Sequence, residues 1–350
     1  MIRKIIIGVT FLSLLLTGCG DLVEIQERDF VLALGVSYGN GRYEITYSLP
    51  DLAKATEQSK ESESNGLIRT YQGKSLPEIS ETYNFNSEDR LDYRHLQAII
   101  LDQSICSDQS AMKKLLIDLN DNYDVSNNVL IYYYDSDVEE IIGVGGGSGN
   151  IGDHLKKLSK NNQTNEMEPA KIGTLIDCLA NDRTLFIPEL IIRDESIAID
   201  GGIFYAENHL IKQITQDECV YYFISLGQGS DSLIRLSPEH LIQLKDVKAK
   251  TKYTLTEEGP AIRLTISGSA KSLPQLTAES VYPEEQMNQR IQGEIERFLE
   301  ENMKKERIDY LNFYEKSSYK SRPMWLKYEN RHGDFMDELK VLVAVDIEYQ

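Results

Sequence analysis

Several groups of residues have types and spacings that chemistry uses. Gly147, Gly149 and Gly152 form a G-x-G-x-x-G within a glycine run that begins at Gly143. Such a loop cradles a dinucleotide when its first Gly directly follows a strand, a helix opens after it, and an acid lies about 20 residues on. Here the segment 135–142 (DSDVEEII) separates the glycines from the tyrosine-rich strand candidate 129–134. Glu166 and Glu168 stand at about that distance, but in a polar stretch. No complete P-loop is present. Five glycines in the seven residues 143–149 make the match a product of composition, and the stretch reads as a hinge or loop. Asp92, Arg94 and His95 offer acid–base groups, but their spacing suits a strand entry whose charges are satisfied locally. There is no G-x-S-x-G elbow, and Gly229–Ser232 reads as a turn.

One thiol carries a stronger signal. Arg3 and Lys4 precede the apolar run Ile5–Leu16, which at 12 residues falls short of the roughly 20 that span a bilayer as a helix. A basic start and a short apolar run form an export signal. Leu16-Thr17-Gly18-Cys19 then resembles the bacterial lipobox, with small residues before a cysteine. The Cys19 thiol accepts diacylglycerol in that motif, and cleavage makes it the new N-terminus. Residues 1–18 are therefore read as a lipoprotein signal peptide and Cys19 as the lipid attachment site. Two acyl chains exceed what stable anchoring requires. An exported chain also has little access to NAD or ATP, which further weakens the glycine loop as a cofactor site.

Charge narrows the partners. The chain carries 37 basic and 56 acidic residues, a net −19. Loss of residues 1–18 removes Arg3 and Lys4 and leaves 35 against 56, or −21. That excludes nucleic acid as a partner, since phosphate binding needs clustered Lys and Arg. It also argues against a polybasic contact with a membrane surface, so the lipid is expected to do the anchoring. Three widely spaced cysteines remain after Cys19: Cys106, Cys178 and Cys219. An odd, scattered set is no disulfide framework, and they read as buried thiols. No C-x-x-C or H-x-x-x-H suggests a metal site, and no cofactor is expected.

Residues 30–37 and 42–49 form a hairpin around Asn40-Gly41, both of which tolerate positive φ. Residues 54–66 are polar and read as an exposed loop, and 159–168 as a linker. Residues 67–72, 96–101 and 129–134 read as strands, and 76–83, 112–119 and 172–179 as helices. Tyr132 to Tyr134 would place two rings on one face and one on the other. Pro188 punctuates the passage into 190–193. Residues 198–205 with 209–214, and 247–255 with 261–269, read as strand pairs, while 220–226 is ambiguous between strand and helix. Met287, Ile291, Ile295, Phe298 and Leu299 build one stripe of a long helix over 284–305. Val341, Val343, Val345 and Ile347 alternate along a closing strand. Irregularly interleaved strands and helices favour an α+β fold over a doubly wound parallel sheet.

The order of motifs resembles the Ger(x)C family of spore germination lipoproteins, the C subunits of nutrient germinant receptors. Cys19 is followed by a charged segment and an apolar strand ending in Gly35, although the family's Trp-Asp after the cysteine is Gly20-Asp21 here. Gly73-Lys74-Ser75-Leu76 resembles its G-x-S-L, and His95-Leu96-Gln97 with 98–101 its "HLK-apolar" strand. Pro188-Glu189-Leu190, Gly201-Gly202-Ile203-Phe204 and Pro323-Met324-Trp325 with Phe335 and 341–347 resemble its later motifs. Trp325 itself reads as a packing anchor, with an interface hot spot as the alternative.

The resemblance implies a multi-domain α+β fold of mixed and antiparallel sheets flanked by helices, like the three-domain germinant receptor C subunit. The expected regions are 19–195, with a further break near 136–170, and 196–350. It also implies a non-enzymatic subunit assembling with A and B membrane subunits on the outer face of the spore inner membrane, responding to nutrient only indirectly. A solute-binding lipoprotein of a transporter is the alternative, and it would show two similar lobes around a cleft.

Overall fold

The computed structural model describes residues 27–50, 67–146, 151–162, 170–181, 183–206, 209–273, 282–320, 322–329 and 331–350. Cys19, the polar loop at 54–66 and most of the 159–168 linker lie outside them.

The first region is built on a mixed sheet. Its strands are β2 (Ala33–Gly39), β3 (Arg42–Leu49), β4 (Leu67–Gly73), β6 (Ala98–Asp102), β7 (Leu130–Tyr134), β8 (Leu185–Arg193), β9 (Ser196–Ala206) and β10 (His209–Ile214). They lie in the order β10-β9-β8-β7-β6-β2-β3-β4. The four central strands β8, β7, β6 and β2 run parallel, and antiparallel pairs extend the sheet at both ends. A two-stranded parallel ladder joins β1 (Arg28–Phe30) to β5 (Arg90–Asp92). The β2–β3 turn is the Asn40-Gly41 turn read from the sequence, with φ of 53° and 75°.

Helices cover both faces. On one side lie α1 (Leu76–Asn86), α2 (Gln103–Ser107), α3 (Gln109–Asp121) and α6 (Ile172–Ala180). Leu76, Met112, Leu115 and Leu175 pack there against Ile45, Ile99, Ile131 and Tyr133. On the other side lie α4 (Val138–Gly146) and α5 (Ile151–Asn162), whose Val138, Ile141, Ile142 and Leu155 meet Ala98, Ile100, Tyr132 and Tyr134. The three consecutive tyrosines thus divide two to one between the faces, as strand alternation requires. Gly35 makes the second face close: a Cβ there would stand 2.8 Å from Val138 and Ile142.

The second region stacks helices on a four-stranded sheet, β11 (Leu233–Ser237), β12 (His240–Thr256), β13 (Gly259–Leu273) and β14 (Lys340–Tyr349). The β13–β14 pair is parallel and the others antiparallel. One face is covered by α7 (Gln216–Leu226) and α8 (Glu284–Leu299), with the shorter α9 (Phe313–Lys320), α10 (Arg322–Trp325) and α11 (His332–Asp337). The five apolar residues of the α8 stripe are all buried in that core.

The two cores share the end of the large sheet. Phe186 and Phe204 belong to the second core, while Ile187, Ile203 and Tyr205 belong to the first. The β8–β9 turn, with Asp194 and Glu195 at φ of 50° and 59°, lies inside the large sheet, which continues through β9 and β10.

The structure changes the sequence reading at Pro188 and at the end of the long helix, and it decides 220–226, which the sequence left open. Pro188 does not precede a strand; it lies inside β8, where the register with β9 shifts between Pro188 and Leu190. A residue without an N–H is tolerated at such a bulge. Residues 220–226 are helical. Thr215 Oγ1 accepts from the Glu218 N–H, Glu218 accepts in return from the Thr215 N–H, and Gly227 closes the helix at φ 76°. This is a capping box with a left-handed terminator. Finally, the helix over 284–305 changes at Glu300 into a π-helical segment, Glu300–Lys305. Asn302 is fully buried there and donates Nδ2–H to the Phe298 carbonyl at 2.9 Å, a competition with the backbone ladder that loosens helical geometry.

Candidate functional site

The glycine stretch has a helix where a cofactor loop needs a strand end. β7 ends at Tyr134, and α4 occupies 138–146. The side chains of Val138, Ile141 and Ile142 hold that helix on the sheet, so helix continues through the first glycines instead of a loop. Residues 147–150 lie outside the described residues, and Gly152 is in α5.

The Asp92 group is a clasp. Asp92 is 3 % exposed and caps a single 3₁₀ turn, Tyr93–His95. Its Oδ2 accepts from Arg28 Nη1 at 2.9 Å, and its Oδ1 accepts from the Arg94 N–H at 3.0 Å. Arg94 Nε lies 2.9 and 3.0 Å from the two oxygens, and Arg94 Nη2 also donates to Oδ2. Both oxygens are committed to cations and backbone, so no lone pair is placed to take a proton from a substrate. His95 is exposed and sets its ring edge-on to Phe30, with centroids 4.9 Å apart. What the group does is fasten the chain's first described strand. Val31 N–H donates to the Asp92 carbonyl at 2.9 Å, and Tyr83 donates its hydroxyl to Asp29. The sequence supplies all three residues, but only pairing across 64 positions makes them a clasp.

Behind the clasp lies a tyrosine cluster. Tyr47 and Tyr93 share a hydroxyl contact at 3.1 Å, and Ser80 meets Tyr93 at 2.7 Å. Burial pushes both phenols above their ordinary range. Neutral, mutually bonded phenols in a core are packing groups.

The three cysteines are free and buried. Burial raises the thiols of Cys106 and Cys219, and Cys178 to about 11. Thiols this hard to ionise are poor nucleophiles. Trp325 is 5 % exposed and packs on Tyr314 at 4.3 Å and Phe335 at 6.0 Å. It anchors the helical cap of the second region.

Two buried acids escaped the sequence reading. Glu189 is 7 % exposed and receives Gln213 Nε2 on both oxygens at 2.8 and 2.7 Å. Burial raises its carboxyl above the ordinary range, with Gln213 opposing. It sits at the sole β7–β8 register pair, opposite Tyr133. Asp309 accepts the Phe313 and Tyr314 N–H groups at 2.8 and 2.7 Å, and burial raises it as well. Glu189 had no local signal, because Gln213 reaches it across 24 positions, whereas Asp309 bonds the first N–H groups of α9 only four and five residues on, a local pairing that the sequence reading passed over. Among the described residues no three His, Cys, Asp or Glu converge to hold a metal, and no helix is long and apolar enough to cross a membrane.

The architecture is α+β and multi-domain. It is similar to a solved structure described as the crystal structure of the GerBC protein, with a TM-score of 0.58 at 14 % identity. That likeness covers 90 % of this chain and 96 % of that one. Residues 21–192 match the family described as spore germination protein N-terminal domain. Residues 199–350 match the one described as spore germination B3/GerAC like, C-terminal. Spore germination protein A3 of Bacillus subtilis (strain 168) is 21 % identical over 261 residues, 73 % of this chain and 69 % of that protein. The chain belongs to the Ger(x)C family of spore germination proteins, the family of germinant receptor C subunits.

Proposed function

We propose that this chain is the lipid-anchored, non-enzymatic C subunit of a nutrient germinant receptor. Cys19 carries the lipid and tethers the folded regions to the outer face of the spore inner membrane. There they assemble with the membrane-embedded A and B subunits. The observation that carries this reading is the pair of family matches, 21–192 and 199–350, starting two residues after the lipobox cysteine. The clasp fits it. Arg28 lies nine positions after Cys19, so even a fully extended chain places it within about 30 Å of the lipidated residue. Asp92 then ties that segment to the body. The dissimilar strand orders of the two regions do not make the paired lobes of a solute-binding protein.

The test is intact-mass analysis of the chain recovered from spore membranes, with and without Cys19→Ser. A chain beginning at Cys19 with acyl mass, which leaves the membrane on substitution, supports the anchor. An unprocessed, unacylated chain refutes it. Affinity capture from solubilised spore membranes should co-purify a multispan A subunit and a transporter-like B subunit, and capture of the chain alone refutes assembly.

A further inference from the structure

The four-stranded sheet has one covered face and one open face. Along β12, Lys248, Lys250 and Lys252 are exposed and alternate with the partly buried Ala249, Thr251 and Tyr253, and Arg263 is exposed on β13. The register sets Lys252 directly opposite Arg263, Lys250 opposite Thr265 and Lys248 opposite Ser267. On β14 the outward neighbours are Leu342, Ala344 and Asp346. Lys248 to Lys252 spans about 13 Å along one face. Among the described residues none of these four cations has a carboxylate within 4 Å, although the chain has 56 acids. By contrast Lys340 at the start of β14 reaches Glu258 at 3.3 Å, and Lys245 on β12 is paired with Asp231. Asp346 shares the rung of Ser267 and Lys248, and Glu348 stands one exposed position further along β14.

Like charges placed directly across a ladder disfavour the sheet. Lys252 opposite Arg263 is such a pair, and no carboxylate relieves it. We propose that this face docks on an anionic lipid bilayer. This placement rests on the membrane tether of the preceding section. The chemistry favours headgroups over a protein partner. Protein interfaces carry an apolar, aromatic-rich centre from which Lys is depleted. This patch has no aromatic and a single exposed aliphatic, Leu342, among Thr265, Ser267 and Ala344, and its four cations stand against one acid, Asp346. A flat plane of spaced ammonium groups suits a plane of phosphates. The net negative charge of the chain does not prevent it, since charges beyond about 10 Å are screened at 0.1 M salt.

The test uses the full chain with its anchor and a spin label at Thr265→Cys, Cys106, Cys178 and Cys219 being buried. It is reconstituted on phosphatidylcholine vesicles with or without 30 % phosphatidylglycerol, each carrying a nickel-chelating lipid. The expected result is flotation with both vesicles and strong relaxation of the label only on the anionic ones. That relaxation should be lost at high salt and fall about fivefold per charge removed in Lys250→Gln and Lys252→Gln. A control label at Phe85→Cys should not respond. Flotation with both vesicles and no difference at Thr265 overturns the docking face and leaves the anchor standing. If the same glutamine substitutions then abolish assembly with the membrane subunits, the face serves an acidic protein instead. Flotation with anionic vesicles alone supports the face and overturns the anchor, and flotation with neither overturns both.

Discussion

Asn288 on α8 and Ile347 on β14 exchange two hydrogen bonds, Asn288 Nδ2–H to the Ile347 carbonyl at 3.0 Å and the Ile347 N–H to Asn288 Oδ1 at 2.9 Å. β14 is the last strand of its sheet, and the carboxamide stands where the next strand's backbone would. A side chain thereby caps part of an edge that would otherwise invite pairing with another chain. Asn288→Leu should leave two backbone groups without protein partners, destabilising by about 1–3 kcal/mol. It should also speed amide exchange at Ile347. An unchanged melting temperature and unchanged exchange there would refute the cap.

The clasp predicts an asymmetry between its members. Asp92→Asn leaves Arg28 and Arg94 without their shared anion in a nearly closed site, and should cost about 2–3 kcal/mol. Arg94→Ala should cost less, about 1 kcal/mol, because that side chain is half exposed. Exchange at the amides of 29–31 distinguishes local unfastening from global loss. The first substitution should raise it more than the second.

Gly35 fixes how near α4 approaches the sheet. Gly35→Ala places a methyl group 2.8 Å from Val138 and Ile142, an overpacking that should cost about 1–3 kcal/mol. A denaturant titration measures it. Ile142→Val in the Gly35→Ala background should recover part of the loss, whereas additive losses would place the strain elsewhere.

Glu189 predicts a pH dependence. Its folded carboxyl is raised by burial, so the folded state holds the proton more tightly than the unfolded one. Below the unfolded value both states are protonated and the group costs nothing. The cost grows as pH rises through the folded value. Glu189→Gln should therefore melt higher than the parent near pH 7, with the difference shrinking toward pH 4. A difference that grew on acidification would mean that the Gln213 bonds outweigh burial.

Locally determined features were legible in the sequence: the Asn40-Gly41 turn, the α8 stripe, the alternation of β14 and the split of Tyr132, Tyr133 and Tyr134 between two faces. Each depends on neighbours a few residues away, where periodicity and turn chemistry act. The α7 helix was legible too, through Thr215, Glu218 and Gly227, but its apolar run obscured those end signals. The bulge at Pro188 and the buried carboxyl of Glu189 were not, since their partners arrive from other strands, and although Asp309 bonds N–H groups only four and five residues on, its burial depends on the packing of the second core. Composition gave a net negative charge and spoke against a basic membrane surface. Only the β12–β13 register places Lys252 beside Arg263 and leaves Lys248 and Lys250 on the same uncovered face. Total charge is a sum over residues, whereas a surface potential depends on which residues a sheet turns outward together.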